Sequence, residues 1–387
     1  GTHSRVYPQG RLYSHIIGYH SKAYGKSQLE MKYDAQLLGK GDITLTFNEL
    51  RSGYDLNLTI DHDLQQYAYN QLNSRNGAIV ALEPKTGKIL AMVSRPDFEP
   101  TAALLEKNWK EIVEREDSPF LSRATQGLYP PGSTFKIATT AAAYEQGKTN
   151  STFEDTGVFE TGGIKVKNFG NAVHGNLTLR RGFEVSSNFV FCTLGFELGA
   201  ENMLDIAKRF GVDKDLKFDL STSRSQIQYK KMNDVDAALV AIGQGQLLMT
   251  PLHVALMGGT IANDGRMMRP FLVDSVTTVS GITVSRSTPQ TLYDVISPGC
   301  AEYIKNLMID VVQNGTGTNA RISGIEVAGK TGTAENETSK DHAWFVGFAP
   351  ANNPEIVVAV VLEYDGGGGG SNAAPIARNV MKKYLGK

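Results

Sequence analysis

Cysteine is almost missing from this chain: Cys192 and Cys300 are the two it has in 387 residues. Two cannot build a disulfide framework, and no C-x-x-C pair offers a zinc or redox site. Both read as buried small apolar residues, with one mutual disulfide as the alternative. An excess of one charge is missing too. The 39 basic and 40 acidic side chains leave a net charge of −1, with no long basic run, which argues against nucleic acid as a partner. No apolar run reaches the length of a membrane span, and Ile356–Leu362 is strand-sized. No signal peptide is visible; Gly1-Thr2-His3-Ser4 reads in part as a cloning remnant, and the chain as starting in mid-protein. His62, His174, His253 and His342 have no metal-like spacing and read as packing or rim residues, so no metal is expected. What is present is an ordinary composition, 41% hydrophobic and 20% charged, with ample length for a core.

Residues 1–58 show no independent core and read as an arm packed on the rest, with a helix expected over Ser27–Gly39 and a short strand or surface-lying segment over Tyr13–Tyr19. Leu56–Asp61 alternates as a strand, and Asp61 is placed to cap a helix from His62 to Asn73. Ala78–Leu82 and Ile89–Val93 form a hairpin around a Pro- and Gly-punctuated turn. One helix is expected near Ala102–Glu114. Residues 148–310 read as largely helical, with helices over 179–183, 188–198, 201–210, 234–241, 250–262 and 297–314 and a small hairpin of 267–275 with 281–285. Strands return at 327–334, 343–349 and 355–363. Gly366–Gly370 reads as a flexible linker before a closing helix, Ala374–Leu385. Strands at both ends with helices between imply an α+β fold whose C-terminal strands pair with the early hairpin.

The stretch Tyr129-Pro130-Pro131-Gly132-Ser133-Thr134-Phe135-Lys136 stands at the head of a small-residue helix that Gly147 stops. Ser133 falls at a helix N-terminus, where unpaired N–H groups favour developing negative charge. Lys136 is one turn on, on the same face. A hydroxyl beside an amine is a nucleophile beside a base, although most isolated S-x-x-K matches are an N-cap followed by a solvated lysine. Ser186-Ser187-Asn188 adds S-x-N on an inter-helix loop, and Lys330-Thr331-Gly332-Thr333 adds K-T-G-T on a strand. Each recurs by chance; the ordered triple is a strong signal.

With Gly243-Gln244-Gly245, read as a tight turn, and Trp344-Phe345-Val346-Gly347-Phe348-Ala349-Pro350, these words resemble class B penicillin-binding proteins from about Leu58 to Leu385. The resemblance implies the penicillin-binding, serine β-lactamase-like transpeptidase fold: a central antiparallel sheet, flanking helices and a mostly helical subdomain. Residues 1–58 would be the remnant of a non-catalytic region and 59–387 the transpeptidase domain. It further implies a peptidoglycan D,D-transpeptidase without cofactor. Ser133 would attack the D-Ala-D-Ala carbonyl of a stem peptide and pass the acyl group to an acceptor amine. Lys136 would take the serine proton, Ser186 relay it to the leaving amine, and Asn188 hold Lys136 and the substrate amide. Lys330, with Thr331, Gly332 and Thr333, would bind the substrate carboxylate, and the N–H groups of Ser133 and Thr333 would form the oxyanion hole. β-Lactam antibiotics and a membrane glycan polymerase are the implied partners. The implied place is the extracytoplasmic face of a bacterial membrane, held by an N-terminal anchor outside this chain.

Other readings compete. Gly324–Thr331 matches the P-loop pattern G-x-x-x-x-G-K-[ST], but its interior is strand-like and no helical stripe follows. No G-x-S-x-G elbow supports a His-dependent hydrolase. A β-lactamase shares the three motifs, yet no glutamate lies between Glu201 and Glu302, and Leu216–Lys231 offers only Asp219. A D,D-carboxypeptidase stays open, and the arm argues against a β-lactam sensor.

Overall fold

The computed structural model of the chain describes residues 5–39, 53–334 and 340–386. Gly1–Ser4, residues 40–52 of the expected arm and residues 335–339 after the K-T-G-T strand lie outside the described residues. In chain order the principal elements are α1 (His62–Leu72), β1 (Gly77–Leu82), β2 (Ile89–Arg95), α2 (Lys136–Glu145), β3 (Thr152–Asp155), β4 (Val158–Thr161), β5 (Ile164–Lys167) and β6 (Gly175–Thr178). There follow α3 (Leu179–Glu184), α4 (Asn188–Arg209), α5 (Asp234–Ala241), α6 (Pro251–Ala262), α7 (Pro298–Gln313), β7 (Ala328–Ala334), β8 (His342–Ala349), β9 (Ile356–Leu362) and α8 (Ala374–Tyr384).

Five strands form one antiparallel sheet in the order β7-β8-β9-β1-β2, so the C-terminal strands do pair with the early hairpin. β8 and β9 are apolar at nearly every position because both faces of the sheet are covered. Val357, Ala359 and Val361 face the larger core with α6, while Val358, Val360 and Leu362 face α1 and α8. Lys330 and Thr331 lie opposite Val346 and Phe345, which fixes the K-T-G-T residues along one outer strand. The other outer strand, β2, is closed by α1. Asp61 caps that helix through Leu64 N–H (3.0 Å) and donates its own N–H to Leu90 O (2.9 Å). One turn on, buried Gln65 accepts from Met92 N–H (2.8 Å) and donates to Met92 O (2.9 Å), supplying the pairing a sixth strand would give.

Four expectations are corrected. Residues 152–178 are two small antiparallel pairs, β3 with β6 and β4 with β5, not helix. The reason is legible afterwards: Val158-Phe159-Glu160-Thr161 and Ile164-Lys165-Val166-Lys167 each alternate around Gly162-Gly163, both at positive φ, as a two-residue hairpin turn requires. Ser27–Gly39 divides into Gln28–Lys32 and Asp34–Leu37, and Tyr13–Tyr19 is no strand but a run of turns with Ile16 buried. Gly366–Gly370 is not a free linker. Gly369 starts a π-helical turn that runs into α8, and a Cβ there would stand 2.0 Å from Trp344 O and 2.4 Å from Gly332 O. The strand at 273–277 pairs with 283–286 as expected and also with Asp55–Leu58, whereas 266–268 pairs with 291–294. The arm shares the main core through Ile16, Leu29 and Tyr54. Both cysteines are buried and free.

Gln65→Leu leaves Met92 N–H and C=O buried without partners. It is expected to lower unfolding free energy by about 2 kcal/mol or more, measured by urea denaturation.

Candidate active site

The segment before α2 is clamped from several sides. Tyr129 and Met249 exchange backbone hydrogen bonds (3.1 and 2.8 Å), Trp344 Nε1 donates to Pro130 O (3.1 Å), and Thr134 Oγ1 donates to Pro131 O (2.8 Å). Gly132 N–H donates to Gly243 O (3.0 Å). The two backbones approach so closely that a Cβ on Gly243 would lie 2.0 Å from Gly132 O, which explains the glycine of the Gly243-Gln244-Gly245 turn. Ser133, on a 3₁₀ turn continuous with α2, is thereby presented at a cleft of ≈ 1180 Å³.

Behind Ser133 two lysines are fully buried. Lys136 Nζ donates to Ser186 O (2.8 Å), Asn188 Oδ1 (2.9 Å), Ser186 Oγ (3.3 Å) and Ser187 O (3.3 Å). Lys330 Nζ donates to Ser186 Oγ (2.8 Å) and Thr331 O (3.0 Å). The Ser186 hydroxyl therefore stands between the two amines. Burial lowers the Lys136 pKa from 10.5 to about 7, with Cys192 and Asp155 pulling the other way. Burial, and then the neighbouring Lys136, holds Lys330 well below the ordinary lysine range. In that setting a neutral amine is available near neutral pH.

The third wall is β7. Thr331 and Thr333 line the cleft, and Thr331 Oγ1 meets Thr316 Oγ1 at 2.5 Å. Gly332 faces the other way and packs under the Ser133 turn beside Thr134 and Pro131. The backbones of Ser133 and Thr333 are brought side by side there, Thr333 O lying against Gly132. Seven of the eight residues picked from sequence thus surround the cleft or its rear wall, and Gly332 underlies it.

Sequence reasoning missed two groups. Asp155, Asn168 and Ser187 form a buried network below the Ser186–Asn188 loop. Arg123, Tyr129 and Glu363 form another: Glu363 Oε1 accepts from Arg123 Nε (2.9 Å) and Tyr129 OH (2.5 Å), pinning the start of the Ser133 segment to the end of β9. Neither carries a motif, because its members come from distant stretches. The opposite wall, with Lys165, Lys167 and Phe169, also went unseen as a site element, whereas His174, read as a packing or rim residue, lines the cleft. His62 stacks on Tyr13, His253 Nε2 donates to Phe210 O (2.7 Å) in the core, and His342 Nδ1 accepts from Tyr364 N–H (3.2 Å).

Two rival readings lose their footing. Lys330 and Thr331 of the P-loop match sit inside a strand, with the amine turned to Ser186. Asp219, the carboxylate where a deacylating glutamate would be sought, is occupied elsewhere: it accepts from Tyr33 OH (2.8 Å), Leu272 N–H (2.6 Å) and Val273 N–H (3.0 Å).

Comparison with known proteins agrees with this geometry. A family model described as the penicillin binding protein transpeptidase domain matches residues 77–382, and one described as the penicillin binding protein A dimerisation domain matches residues 1–54. Peptidoglycan D,D-transpeptidase PbpA of Mycolicibacterium smegmatis is 35% identical over 98% of this chain and 84% of its own length. The D,D-transpeptidase domain of a peptidoglycan glycosyltransferase from Eggerthella lenta superposes with a TM-score of 0.90 at 39% identity, covering 100% of this chain and 93% of that one. Penicillin-binding protein A from M. tuberculosis, solved as a ceftriaxone acyl-enzyme complex, gives 0.93 at 31% identity, covering 99% and 93%.

The buried amine sets a pH dependence of stability. An unfolded lysine holds its proton up to 10.5, whereas folded Lys136 releases it near 7. Between those values the unfolded chain binds more protons, so stability rises with pH. Lys136→Met is expected to flatten that rise, read from urea unfolding at several pH values across the window.

Proposed function

Because the chain belongs to the penicillin-binding protein transpeptidase family, we propose that it cross-links peptidoglycan as a D,D-transpeptidase through Ser133. The observation that carries the residue assignment is the meeting of Lys136 and Lys330 at the Ser186 hydroxyl, beside Ser133, on one cleft.

The reaction runs in two halves. Neutral Lys136 accepts the Ser133 proton as Oγ bonds to the penultimate D-alanine carbonyl carbon of a stem peptide. The tetrahedral oxyanion is received by the N–H groups of Ser133 and Thr333. Collapse breaks the C–N bond, and the proton passes from Lys136 by way of Ser186 to the nitrogen of the departing D-alanine. An acyl-serine remains. An acceptor amine then attacks the same carbonyl, its proton returns to Ser133, and the new amide leaves. Asn188, held by Lys167 O through its Nδ2 (2.9 Å), keeps its Oδ1 on Lys136 and completes the acyl-donor side.

Lys330 supplies the anion site together with Thr331 and Thr333. Burial presses both amines toward neutrality. An incoming substrate carboxylate stabilises the proton on Lys330, and two cations around one hydroxyl repel. Binding thus keeps Lys136 neutral, the form that acts as base. With no carboxylate free in the Asp219 region, the acyl-enzyme waits for an amine rather than water. β-Lactams, whose cleaved amide nitrogen stays tethered, then remain as adducts. We place the enzyme on the extracytoplasmic face of the membrane, supplied with glycan strands by a membrane polymerase, with residues 1–58 belonging to its non-catalytic region.

Incubation with benzylpenicillin is expected to add one adduct to the intact mass, persistent for hours and lost in Ser133→Ala. An adduct that decays within seconds would turn the reading to a β-lactamase, and no adduct would overturn it. The acylation rate is also expected to climb with pH along a limb centred near 7, where Lys136 gives up its proton, as stopped-flow acylation across pH would record.

A further inference from the structure

Asp155 ends β3 and is almost wholly buried, and its carboxylate receives four hydrogen bonds. Oδ1 accepts from Gly157 N–H (2.7 Å) and Asn168 Nδ2 (2.9 Å); Oδ2 accepts from Ser187 Oγ (2.7 Å) and Asn168 Nδ2 (2.9 Å). The Ser187 hydroxyl in turn accepts from Val190 N–H (3.1 Å) at the start of α4, and Asn168 Oδ1 accepts from Phe189 N–H (3.0 Å). One carboxylate therefore grips the first turn of α4 and the loop before it.

That loop needs a grip. Ser186 lies at φ +59°, a left-handed conformation that a non-glycine residue keeps only where its surroundings impose it. Every oxygen that receives the Lys136 amine comes from Ser186, Ser187 or Asn188. A shift of the loop removes them together.

We propose that Asp155, through Ser187 and Asn168, is a positioning residue of the acyl transfer, fixing the Ser186–Asn188 loop around the Lys136 amine. The inference rests on the transpeptidase reading given above. Three donors, Gly157 N–H, Asn168 Nδ2 and Ser187 Oγ, converge on the two oxygens, so a carboxylate fits and an amide does not: asparagine would turn an NH₂ group against another donor. Charge points the same way. The groups facing Lys136 are Lys330 from β7, Cys192 from α4 and Asp155 from β3. Burial pushes the Cys192 thiol up to about 12, so it is uncharged at neutral pH. Glu184, at the end of α3, is turned to Arg181. Asp155 is thus the anion that opposes the effect of burial on Lys136.

The test is the rate of β-lactam acylation from about pH 5 to about pH 9, for the unsubstituted chain, Asp155→Asn and Ser187→Ala, with folding checked by thermal unfolding. Asp155→Asn is expected to lose about 10²-fold in rate and to move the ascending limb to lower pH. Ser187→Ala keeps the carboxylate, and is expected to lose about tenfold with the limb in place. A wild-type rate in folded Asp155→Asn, or a slow variant whose limb has not moved, overturns the proposal. If Asp155→Asn does not fold, a wild-type rate for Ser187→Ala overturns it, and the expected slowing supports it. No adduct on the unsubstituted chain overturns the transpeptidase reading, and this inference with it.

Discussion

Two lysine side chains are buried completely with no carboxylate at salt-bridge distance among the described residues, and much of the molecule is organised to make that tolerable. An unpaired buried cation is costly, and the cost is relieved by neutralisation and by hydrogen bonds. Lys136 has four oxygen acceptors, all from one three-residue loop, and Lys330 has a hydroxyl and a backbone carbonyl. The apolar sheet, the covering helices and the Phe183 and Phe191 rings near the two amines keep water away from them. The same burial that depresses the Lys136 pKa makes a neutral amine available near neutral pH.

The sequence was most informative where one residue type has one physical use. The Asp61 cap, the Pro- and Gly-bounded Ser133 turn, the fully apolar strands and the helix Ala102–Glu114 all stand where their patterns put them. Two helices read separately around residue 199 meet at Gly199, which interrupts α4 with non-helical angles. The ordered motifs located the cleft because each contributes chemistry that must converge. What could not be read was tertiary in origin. The small hairpins of residues 152–178 are too short for their alternation to outweigh the helical neighbourhood. Asp155 and Asn168 look like ordinary loop residues until the fold brings Ser187 to them. Arg123, Tyr129 and Glu363 are separated by up to 240 positions. The five glycines read as freedom, although at Gly369 and Gly370 the structure uses the missing side chain for close contact with main chain, and one absence serves both purposes.

The Ser133 segment and the S-x-N loop are held by different means. The first is fixed by backbone contact with Gly243 and by a buried Arg–Glu–Tyr cluster at the end of the sheet. The second hangs from a carboxylate at the end of β3, in the small β3–β6 strand pair. Both supports are polar and buried, so each is directional in a way that hydrophobic packing is not. Placement of Ser133 relative to Lys136 is set by one helical turn, whereas placement of Ser186 relative to either amine depends on three separate stretches of chain.

The two walls of the cleft differ in what they are made of. One is β7 backed by the Gly369 turn, where main chain touches main chain and no additional side-chain atom can enter. The other is the β4–β5 hairpin and the turn after it, which present Lys165, Lys167, Phe169 and His174. Inherited change can therefore reach the shape and charge of the cleft mainly from the hairpin side. The strand side is frozen by its own closeness. Change in this cleft would leave its record at Lys165, Lys167, Phe169 and His174, while the strand wall stayed as it was.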